Sequence, residues 1–183
     1  MASDFSIRHA AHVIRSGGII AYPTDTIYGL GCDPYDAAAV GELNRLKQRP
    51  LNKQFILLAG DIKQINPLVL IDKKQQARIT QSAEPTSWIV DASPQAPAWL
   101  TDKQNTLTIR ISKSPLVKKL CAKLGHAIIS TSANPSGKKP ASNSLELHRY
   151  FHDNVHKILA QQQKLNAQPS KIIRLCDNHI IRH

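Results

Sequence analysis

Cysteine and aromatic residues are scarce in this chain of 183 residues, and both shortages exclude particular kinds of protein. The three cysteines, Cys32, Cys121 and Cys176, stand far apart in the sequence. An odd number of cysteines without paired spacing argues against a disulfide framework and against a zinc knuckle. Aromatic residues make up 5% of the chain, so few side chains are available to stack on nucleic-acid bases.

Long apolar runs are also missing. No segment approaches the length that a membrane-spanning helix needs, and the N-terminal segment carries acidic and polar residues where a signal peptide has an apolar core. We therefore predict a cytoplasmic protein without membrane contact. The length fits one domain over residues 1–183, and 42% hydrophobic with 20% charged residues is ordinary for a globular protein.

Acidic residues are outnumbered by basic ones. The chain has 13 Asp and Glu against 24 Lys and Arg, which gives a formal net charge of +11. A charge of this size concentrates polyanions near the protein. RNA, nucleotides and phosphorylated ligands are the natural candidates, although the charge alone does not choose among them and also favours solubility.

The familiar nucleotide and metal motifs are not found in this sequence. It contains neither the spacing of a P-loop nor a G-x-G-x-x-G fingerprint, which excludes the Walker and Rossmann interpretations. His152 and His156 are four residues apart but lack the acidic partner of a metalloprotease motif. We predict no protein-bound metal site.

Hydrophobic periodicity predicts an α/β layer fold, because predicted strands alternate with predicted helices through most of the chain. Helices are expected over residues 6–16, 36–47, 114–125 and 144–151, and over 61–82 in two pieces broken at Pro67. Strands are expected over residues 19–22, 55–59, 87–90, 106–111, 127–130, 155–159, 171–175 and 179–182. The last strands follow each other closely, which predicts some antiparallel pairing. The glutamine-rich residues 160–168 are predicted to form a mobile loop.

Two early segments carry more polar chemistry than a scaffold needs. Residues 22–33, YPTDTIYGLGCD, combine threonines, tyrosines and glycines after the first strand. Glycine lets a backbone approach a ligand closely, which favours a ligand-binding segment. The same sequence also fits a plain turn. The cations Lys47, Arg49 and Lys53 follow the second helix. They suit a triphosphate or a simple complement to the helix dipole.

Two later segments can likewise be interpreted either as ligand-binding segments or as purely structural ones. Residues 130–137, STSANPSG, place small hydroxyl donors at a strand end, where ligands gather in α/β sheets. A Ser/Thr turn is the alternative. Arg110 lies inside the apolar strand 106–111. If buried, it needs a partner, and either a substrate carboxylate or a structural aspartate would serve.

Taken together and in order, these segments resemble the YrdC family of threonylcarbamoyl-AMP synthases, in its short, single-domain TsaC-type form. The matching text is YPTDTIYGLGCD, KQRP, the TIR of the central strand and STSANPSG. The resemblance is good over residues 19–137 and weaker towards the ends.

The resemblance implies an α/β fold with a single-domain, open, twisted mixed sheet flanked by helices and a basic concave face. It also implies the substrates ATP, L-threonine and bicarbonate, with Mg²⁺ accompanying ATP. The product, threonylcarbamoyl-AMP, would be the donor for the N6-threonylcarbamoyladenosine modification of tRNA. Proteins of the threonylcarbamoyl-transferase complex would be partners, and tRNA or double-stranded RNA would be possible ligands.

The resemblance also assigns roles to residues. Lys47, Arg49, Ser132 and Asn134 match the catalytic and phosphate-binding K-x-R and S-x-N pairs. The implied ATP-binding set is Lys47, Arg49, Lys53, Thr106, Ser132, Asn134 and Arg182. The implied threonine-binding set is Thr26, Arg110, Ser130 and Ser170. Because no histidine or carboxylate pair stands out as a general base, we expect catalysis by positioning and charge neutralisation.

Two segments depart from the family pattern. Residues 82–87, SAEPTS, lack the tryptophan and glycine of the usual W-P-G-P-x-T text, and the loop before Pro169 lacks the expected glycines. Both departures bear on loop closure and turnover rather than on the fold.

Two other functions remain open from the sequence. The net charge of +11 also fits a non-catalytic module that binds double-stranded RNA or a ribosomal precursor. A related domain of larger carbamoyltransferases, which handles a carbamoyl adenylate, is a third possibility. A chain of 183 residues without a second domain counts against it.

Overall fold

A nine-stranded mixed sheet with helices on both faces organises the chain. The computed structural model describes residues 2–48, 54–160, 165 and 168–182. The helices are α1 (Asp4–Arg15), α2 (Ala37–Lys47), α3 (Lys73–Gln81), α4 (Pro115–Leu124) and α5 (Ser144–Phe151). The strands are β1 (Ile20–Pro23), β2 (Tyr28–Gly31), β3 (Ile56–Ala59), β4 (Thr86–Asp91), β5 (Thr106–Ile111), β6 (Ile128–Ser132), β7 (Lys157–Ile158), β8 (Lys171–Arg174) and β9 (Ile180–Arg182).

The strand order across the sheet is β7-β1-β2-β6-β3-β5-β4-β8-β9. The pairs β1/β7, β3/β5 and β4/β8 are parallel, and the other five pairs are antiparallel. Strand β6 lies between β2 and β3, so a late strand joins the two early parts of the sheet. This confirms the predicted α/β class and the open mixed sheet.

The two faces of the sheet are covered differently, because successive side chains of a strand point to opposite faces. On one face α1 and α4 pack against Ile20, Leu58 and Ile128. On the other, α2, α3 and α5 contribute to a larger core with Leu57, Ile109 and Ile129. Helices α1 and α4 cover only part of their face, and the uncovered part contains Thr108, Arg110 and Ser130, which line a cleft.

Local sequence signals account for the helix ends. The Ser3 side chain accepts a hydrogen bond from the Ser6 amide at the start of α1, and Asp36 accepts from the Ala38 and Ala39 amides at the start of α2. Helix α4 begins with proline and ends at Gly125, whose φ of 89° is costly for residues with a Cβ. No helix within the described ranges is long and apolar enough to cross a membrane.

Most predicted elements are found within one or two residues of their expected bounds, but two predictions are wrong. Residues 28–31 were expected within a binding loop or turn, and they form strand β2 between β1 and β6. Residues 61–82 are not two helices. They form two short 3-10 turns and then α3, because Val69 bridges to Ala92 and the Leu70 amide donates to the Asp91 carbonyl. These contacts hold residues 69–70 extended beside the end of β4.

Candidate active site

A polar cleft of about 140 Å³ lies on the uncovered face of the sheet. This volume is small beside the roughly 300–1,000 Å³ of pockets for drug-sized ligands, so the part enclosed by described residues suits a ligand as small as an amino acid. The lining is rich in hydroxyl groups and includes two arginines. Its polar members are Thr24, Thr26, Gln54, Thr108, Arg110, Ser130, Thr131, Ser132, Ser170 and Arg182.

The turn between β1 and β2 places its hydroxyl groups by local hydrogen bonds. The Thr24 hydroxyl accepts from the amides of Thr26 (3.1 Å) and Ile27 (3.2 Å) and donates to the Ile27 carbonyl (2.7 Å). The hydroxyls of Thr24 and Thr26 are 3.0 Å apart. Either hydroxyl can be the donor in that pair. The Thr26 hydroxyl also accepts from Arg110, and it keeps either its proton or one lone pair for a further partner.

Arg110 is the buried cation of the cleft, with 5% of its side chain exposed. Its Nη2 donates to Oδ1 of Asp25, and its Nη1 donates to the Thr26 hydroxyl at 3.3 Å. The Nε is buried and has no hydrogen-bond partner among the described residues. The sequence left open whether Arg110 faces an aspartate or a substrate. The structure pairs it with Asp25, and among the described residues Nε is the guanidinium nitrogen that has no hydrogen-bond partner.

A second cation, Arg182 of β9, approaches the same cleft from the edge of the sheet. Its Nε and Nη2 donate to the Ser170 carbonyl at 3.0 and 2.7 Å. The Ser170 hydroxyl lies 2.8 Å from that of Ser87. Partial burial and then repulsion from Arg110 lower the pKa of Arg182. The two guanidinium groups therefore share one electropositive site, which an anionic ligand would stabilise.

Lys47 lies beneath the loop that follows β6 rather than among the residues lining the cleft. Only 3% of the residue is exposed. Its ammonium donates to the carbonyls of Ser132 and, at 2.7 Å, Asn134, while its own carbonyl accepts from the Ser136 amide at 3.0 Å. Lys47 therefore fixes the backbone of the S-T-S-A-N loop.

Asn134 is directed towards its own loop. Its Nδ2 donates to the carbonyls of Pro135 (2.9 Å) and Lys138 (2.7 Å). Its Oδ1 is buried without a hydrogen-bond partner within the described part of the chain. A buried acceptor of this kind is costly to leave unsatisfied, so a donor from a ligand or a neighbouring residue would be favourable at this atom.

Thr106, which the resemblance implies for ATP binding, does not line the cleft, whereas Thr108, to which no role was assigned, does. The Thr106 hydroxyl donates to Oδ2 of Asp102 at 2.9 Å, and Thr106 lines a separate cavity of about 310 Å³. Thr108 lines the cleft, where its hydroxyl donates to Oε1 of Gln54 at 3.1 Å. Thr24, Gln54 and Thr108 are cleft residues that the sequence analysis missed. Strand alternation could have found Thr108, which stands two residues before Arg110 on the same face.

The structure thus brings Thr26, Arg110, Ser130, Ser132, Ser170 and Arg182 together in one cleft. Lys47 and Asn134 lie beside it and shape its loop. Arg49 and Lys53 lie outside the described residues, as does most of the predicted 160–168 loop. No group of three or more His, Cys, Asp or Glu residues in the described ranges could hold a metal ion.

The floor of the cleft depends on two glycines of β2. A Cβ at Gly29 would come within 3.1 Å of the Ser130 hydroxyl oxygen, and one at Gly31 within 2.3 Å of the Ile129 carbonyl oxygen. Beneath the floor, burial raises the pKa of the Cys32 thiol to about 12. This thiol therefore stays neutral at physiological pH and acts as a small apolar group.

The chain is similar to known proteins over nearly its whole length. The family model Sua5_yciO_yrdC, described as "Telomere recombination", matches residues 12–183. A protein of Cellvibrio japonicus named threonylcarbamoyl-AMP synthase is 36% identical over 178 residues, covering 96% of this chain and 94% of its own.

Two solved structures have the same fold. Sua5 of P. abyssi, complexed with L-threonine, has a TM-score of 0.87 at 25% identity, covering 94% of this chain and 51% of that one. YciO of E. coli has a TM-score of 0.86 at 26% identity, covering 97% of this chain and 88% of that one. From the match over residues 12–183 and an alignment that spans nearly the whole length of both proteins, we conclude that the chain belongs to the Sua5/YciO/YrdC family.

Proposed function

We propose that the protein is an L-threonylcarbamoyladenylate synthase, a nucleotidyltransferase that converts ATP, L-threonine and bicarbonate into threonylcarbamoyl-AMP and pyrophosphate. The observation that carries this proposal is the cleft. It combines a buried arginine that has an unused donor with a ring of hydroxyl groups. Relatives of similar length are named threonylcarbamoyl-AMP synthase, and the Sua5 structure that shares the fold contains L-threonine.

The amino-acid subsite is proposed at Arg110, Thr26, Ser130 and Ser170. The free Nε of Arg110 suits a carboxylate oxygen. The Thr26 hydroxyl lines the cleft and can hydrogen-bond the hydroxyl group of threonine, either as donor or as acceptor. Ser130 stands across the floor from this turn, close above Gly29. These groups together recognise a small amino acid that carries a hydroxyl group.

The nucleotide subsite is proposed at Ser132 and Arg182, with Arg49 and Lys53 as further phosphate ligands. Lys47 and Asn134 act there chiefly by holding the loop that presents Ser132. Mg²⁺ is proposed to arrive with ATP. Thr106 was expected in this subsite, but its hydroxyl is bonded to Asp102 and it lines a different cavity.

The reaction proceeds in two bond-forming steps. Bicarbonate takes up a proton and loses water to give carbon dioxide, and the neutral threonine amine adds to this carbon dioxide and releases a proton to give a carbamate. A carbamate oxygen then attacks the α-phosphorus of ATP as the bond to the bridging oxygen breaks, and pyrophosphate leaves. Charge builds up on phosphate oxygens in such a step, so cations and fixed hydrogen-bond donors stabilise it.

The direct test is incubation of the protein with ATP, L-threonine and labelled bicarbonate, followed by chromatography of the adenylate product. We expect a labelled product with one pyrophosphate released per product. Omission of threonine gives the control. Absence of both label transfer and threonine-dependent pyrophosphate release would reject the proposal.

The proposed function also implies where the product is used and which macromolecules the protein contacts. The product serves as donor for the N6-threonylcarbamoyladenosine modification of tRNA in the cytoplasm. The partners are then proteins of the threonylcarbamoyl-transferase complex. The net charge of +11 supports an additional electrostatic contact with tRNA or double-stranded RNA.

A further inference from the structure

Asp25 stands in the turn between Thr24 and Thr26, and its carboxylate is directed away from the open cleft and onto Arg110. The Asp25 side chain is 15% exposed and that of Arg110 is 5% exposed. Oδ1 of Asp25 accepts from Nη2 of Arg110 and from the Ser112 hydroxyl, the latter at 3.1 Å. Burial of an arginine in this way needs a counter-charge, because an unpaired charge away from water is costly.

Asp25 is itself held firmly. The Ser112 hydroxyl that donates to it also accepts from the Ser114 amide at 3.1 Å, just before α4 begins. The Ser112 amide donates to the Ala59 carbonyl at 2.8 Å, at the end of β3. Asp25 is therefore tied to rigid elements of the sheet through Ser112.

This anchor decides which side of the guanidinium group stays available. Asp25 engages Nη2 and Thr26 engages Nη1, so Nε is the guanidinium nitrogen that has no hydrogen-bond partner among the described residues. A guanidinium free to rotate would offer any of its edges to a ligand. One that is held at two nitrogens has a fixed orientation and presents its remaining N–H groups in fixed directions.

We infer that Asp25 is a positioning residue for amino-acid binding, which holds Arg110 so that its Nε side receives the carboxylate of the substrate. This inference rests on the proposed function for the identity of the amino acid. It adds a residue that the family resemblance did not place among the threonine ligands, and it assigns that residue an action through Arg110 rather than a contact with substrate.

Two substitutions separate orientation from simple loss of a side chain. Asp25→Ala removes the acceptor, and we expect the KM for L-threonine to rise about tenfold or more, since hydrogen bonds to charged groups are worth that much. Asp25→Asn can keep both hydrogen bonds, because both fall on the single oxygen Oδ1. Because this variant loses the counter-charge of Arg110 but keeps the hydrogen bonds, we expect its KM for threonine to lie between the values for the wild type and Asp25→Ala.

The KM for ATP distinguishes positioning from a general structural defect, because a structural defect would raise the KM values for both substrates. We expect it to change less than about twofold in either variant, since Asp25 acts on the amino-acid subsite alone. Asp4→Ala is the matched control, because it breaks an exposed Arg–Asp pair at 3.0 Å within α1, which contributes no residue to the cleft lining. Equal rises in both KM values, an unchanged threonine KM in Asp25→Ala, or an Asn variant as defective as the Ala variant would each overturn the inference.

Calorimetric titration of L-threonine into the protein without ATP keeps this test apart from that of the proposed function. Weaker binding in Asp25→Ala than in Asp25→Asn supports the positioning role even where no pyrophosphate is released. An active wild type whose threonine affinity ignores both substitutions rejects the positioning role and leaves the proposed function standing. A wild type that binds no threonine rejects both.

Discussion

At the scale of single residues, Lys47 is a buried cation whose hydrogen bonds stabilise the surrounding backbone. A lysine with 3% exposure is rare unless its ammonium group is satisfied, and here two loop carbonyls accept from it. The text K-x-R suggests a phosphate ligand, but the contacts give Lys47 a structural task as well. Sequence could not show this, since the carbonyls it contacts lie more than eighty residues later in the chain.

We expect Lys47→Ala to lower the free energy of unfolding by about 2–4 kcal/mol, because it opens a cavity and leaves buried carbonyls unsatisfied. Threonine-dependent pyrophosphate release should fall with it. Urea unfolding followed by circular dichroism measures the first effect. Lys119→Ala on the exposed side of α4 is the control and should stay within about 0.5 kcal/mol of the wild type. A fully stable Lys47→Ala protein would show that the carbonyl contacts contribute little.

Substrate choice tests the hydroxyl groups of the cleft. Thr26 and Ser130 line the cleft that we propose binds a hydroxyl amino acid. A site built to hydrogen-bond a hydroxyl rejects an analogue lacking it by a factor of about 10² at least. We expect L-threonine to stimulate pyrophosphate release from ATP far more than L-valine, which replaces the hydroxyl with a methyl group. The comparison is of kcat/KM for the two amino acids. Similar values would rule out a hydroxyl-reading pocket.

Among the other site residues, six that the family resemblance implies line one cleft. Thr106 lines another cavity, and Thr108, which was not among the implied residues, lines the cleft. Both lie on β5 and differ by two residues, so neither strand alternation nor hydroxyl chemistry separates them. What separates them is Asp102, which captures the Thr106 hydroxyl through a turn before the strand. A contact of this kind depends on loop geometry that a sequence does not display.

At the scale of elements, β2 shows how close packing can require glycine within a strand. A Cβ at Gly31 would lie 2.3 Å from the Ile129 carbonyl oxygen, whereas nothing lies within 4 Å of a Cβ at Gly41 in α2. Gly31→Ala should force β2 away from β6 and destabilise the protein by roughly 2 kcal/mol or more. Gly41→Ala should stabilise it by about 0.5–1 kcal/mol, because alanine favours a helix.

Thermal unfolding of the two variants beside the wild type measures both signs at once. Displacement of β2 also reaches Ser130, which neighbours Gly29 on the floor of the cleft. Gly31→Ala should therefore weaken threonine binding, and Gly41→Ala should not. A stable and active Gly31→Ala protein would mean that the strands can separate at this point without consequence.

Elements whose bounds are determined by short-range sequence patterns were predicted well, and elements determined by tertiary contacts were not. The bounds of β5 and α5 were predicted to the residue, because alternation or helical spacing together with flanking turn residues defines them. Strand β2 was missed because its tyrosine and glycines resemble a ligand loop, and its partners β1 and β6 decide its conformation. The break in residues 61–82 likewise comes from pairing with the end of β4, a tertiary contact.

At the scale of the whole molecule, the net charge of +11 predicts measurable RNA binding at low salt. Counterion release then predicts that log affinity falls with log salt concentration, with a slope of about −0.7 per phosphate contacted on a single strand. With 5% aromatic residues we expect little sequence preference. If the contact lies at the electropositive cleft, ATP should compete with RNA.

The measurement is RNA affinity across a salt series, with and without ATP, for two RNAs of equal length and unrelated sequence. Weak, salt-sensitive binding that ATP reduces agrees with an electrostatic accessory contact. Tight binding that persists at high salt, prefers one sequence and ignores ATP would instead indicate a dedicated RNA-recognition surface elsewhere on the protein.

The position of β6 between β2 and β3 affects when the sheet can form during synthesis. During synthesis the N-terminal strands appear long before residues 128–132, so the centre of the sheet stays open until most of the protein has left the ribosome. Folding that waits on such distant pairings is slow relative to a helical protein of the same size. The ligand cleft is created by that same closing event, so substrates can stabilise only a chain whose sheet is already complete.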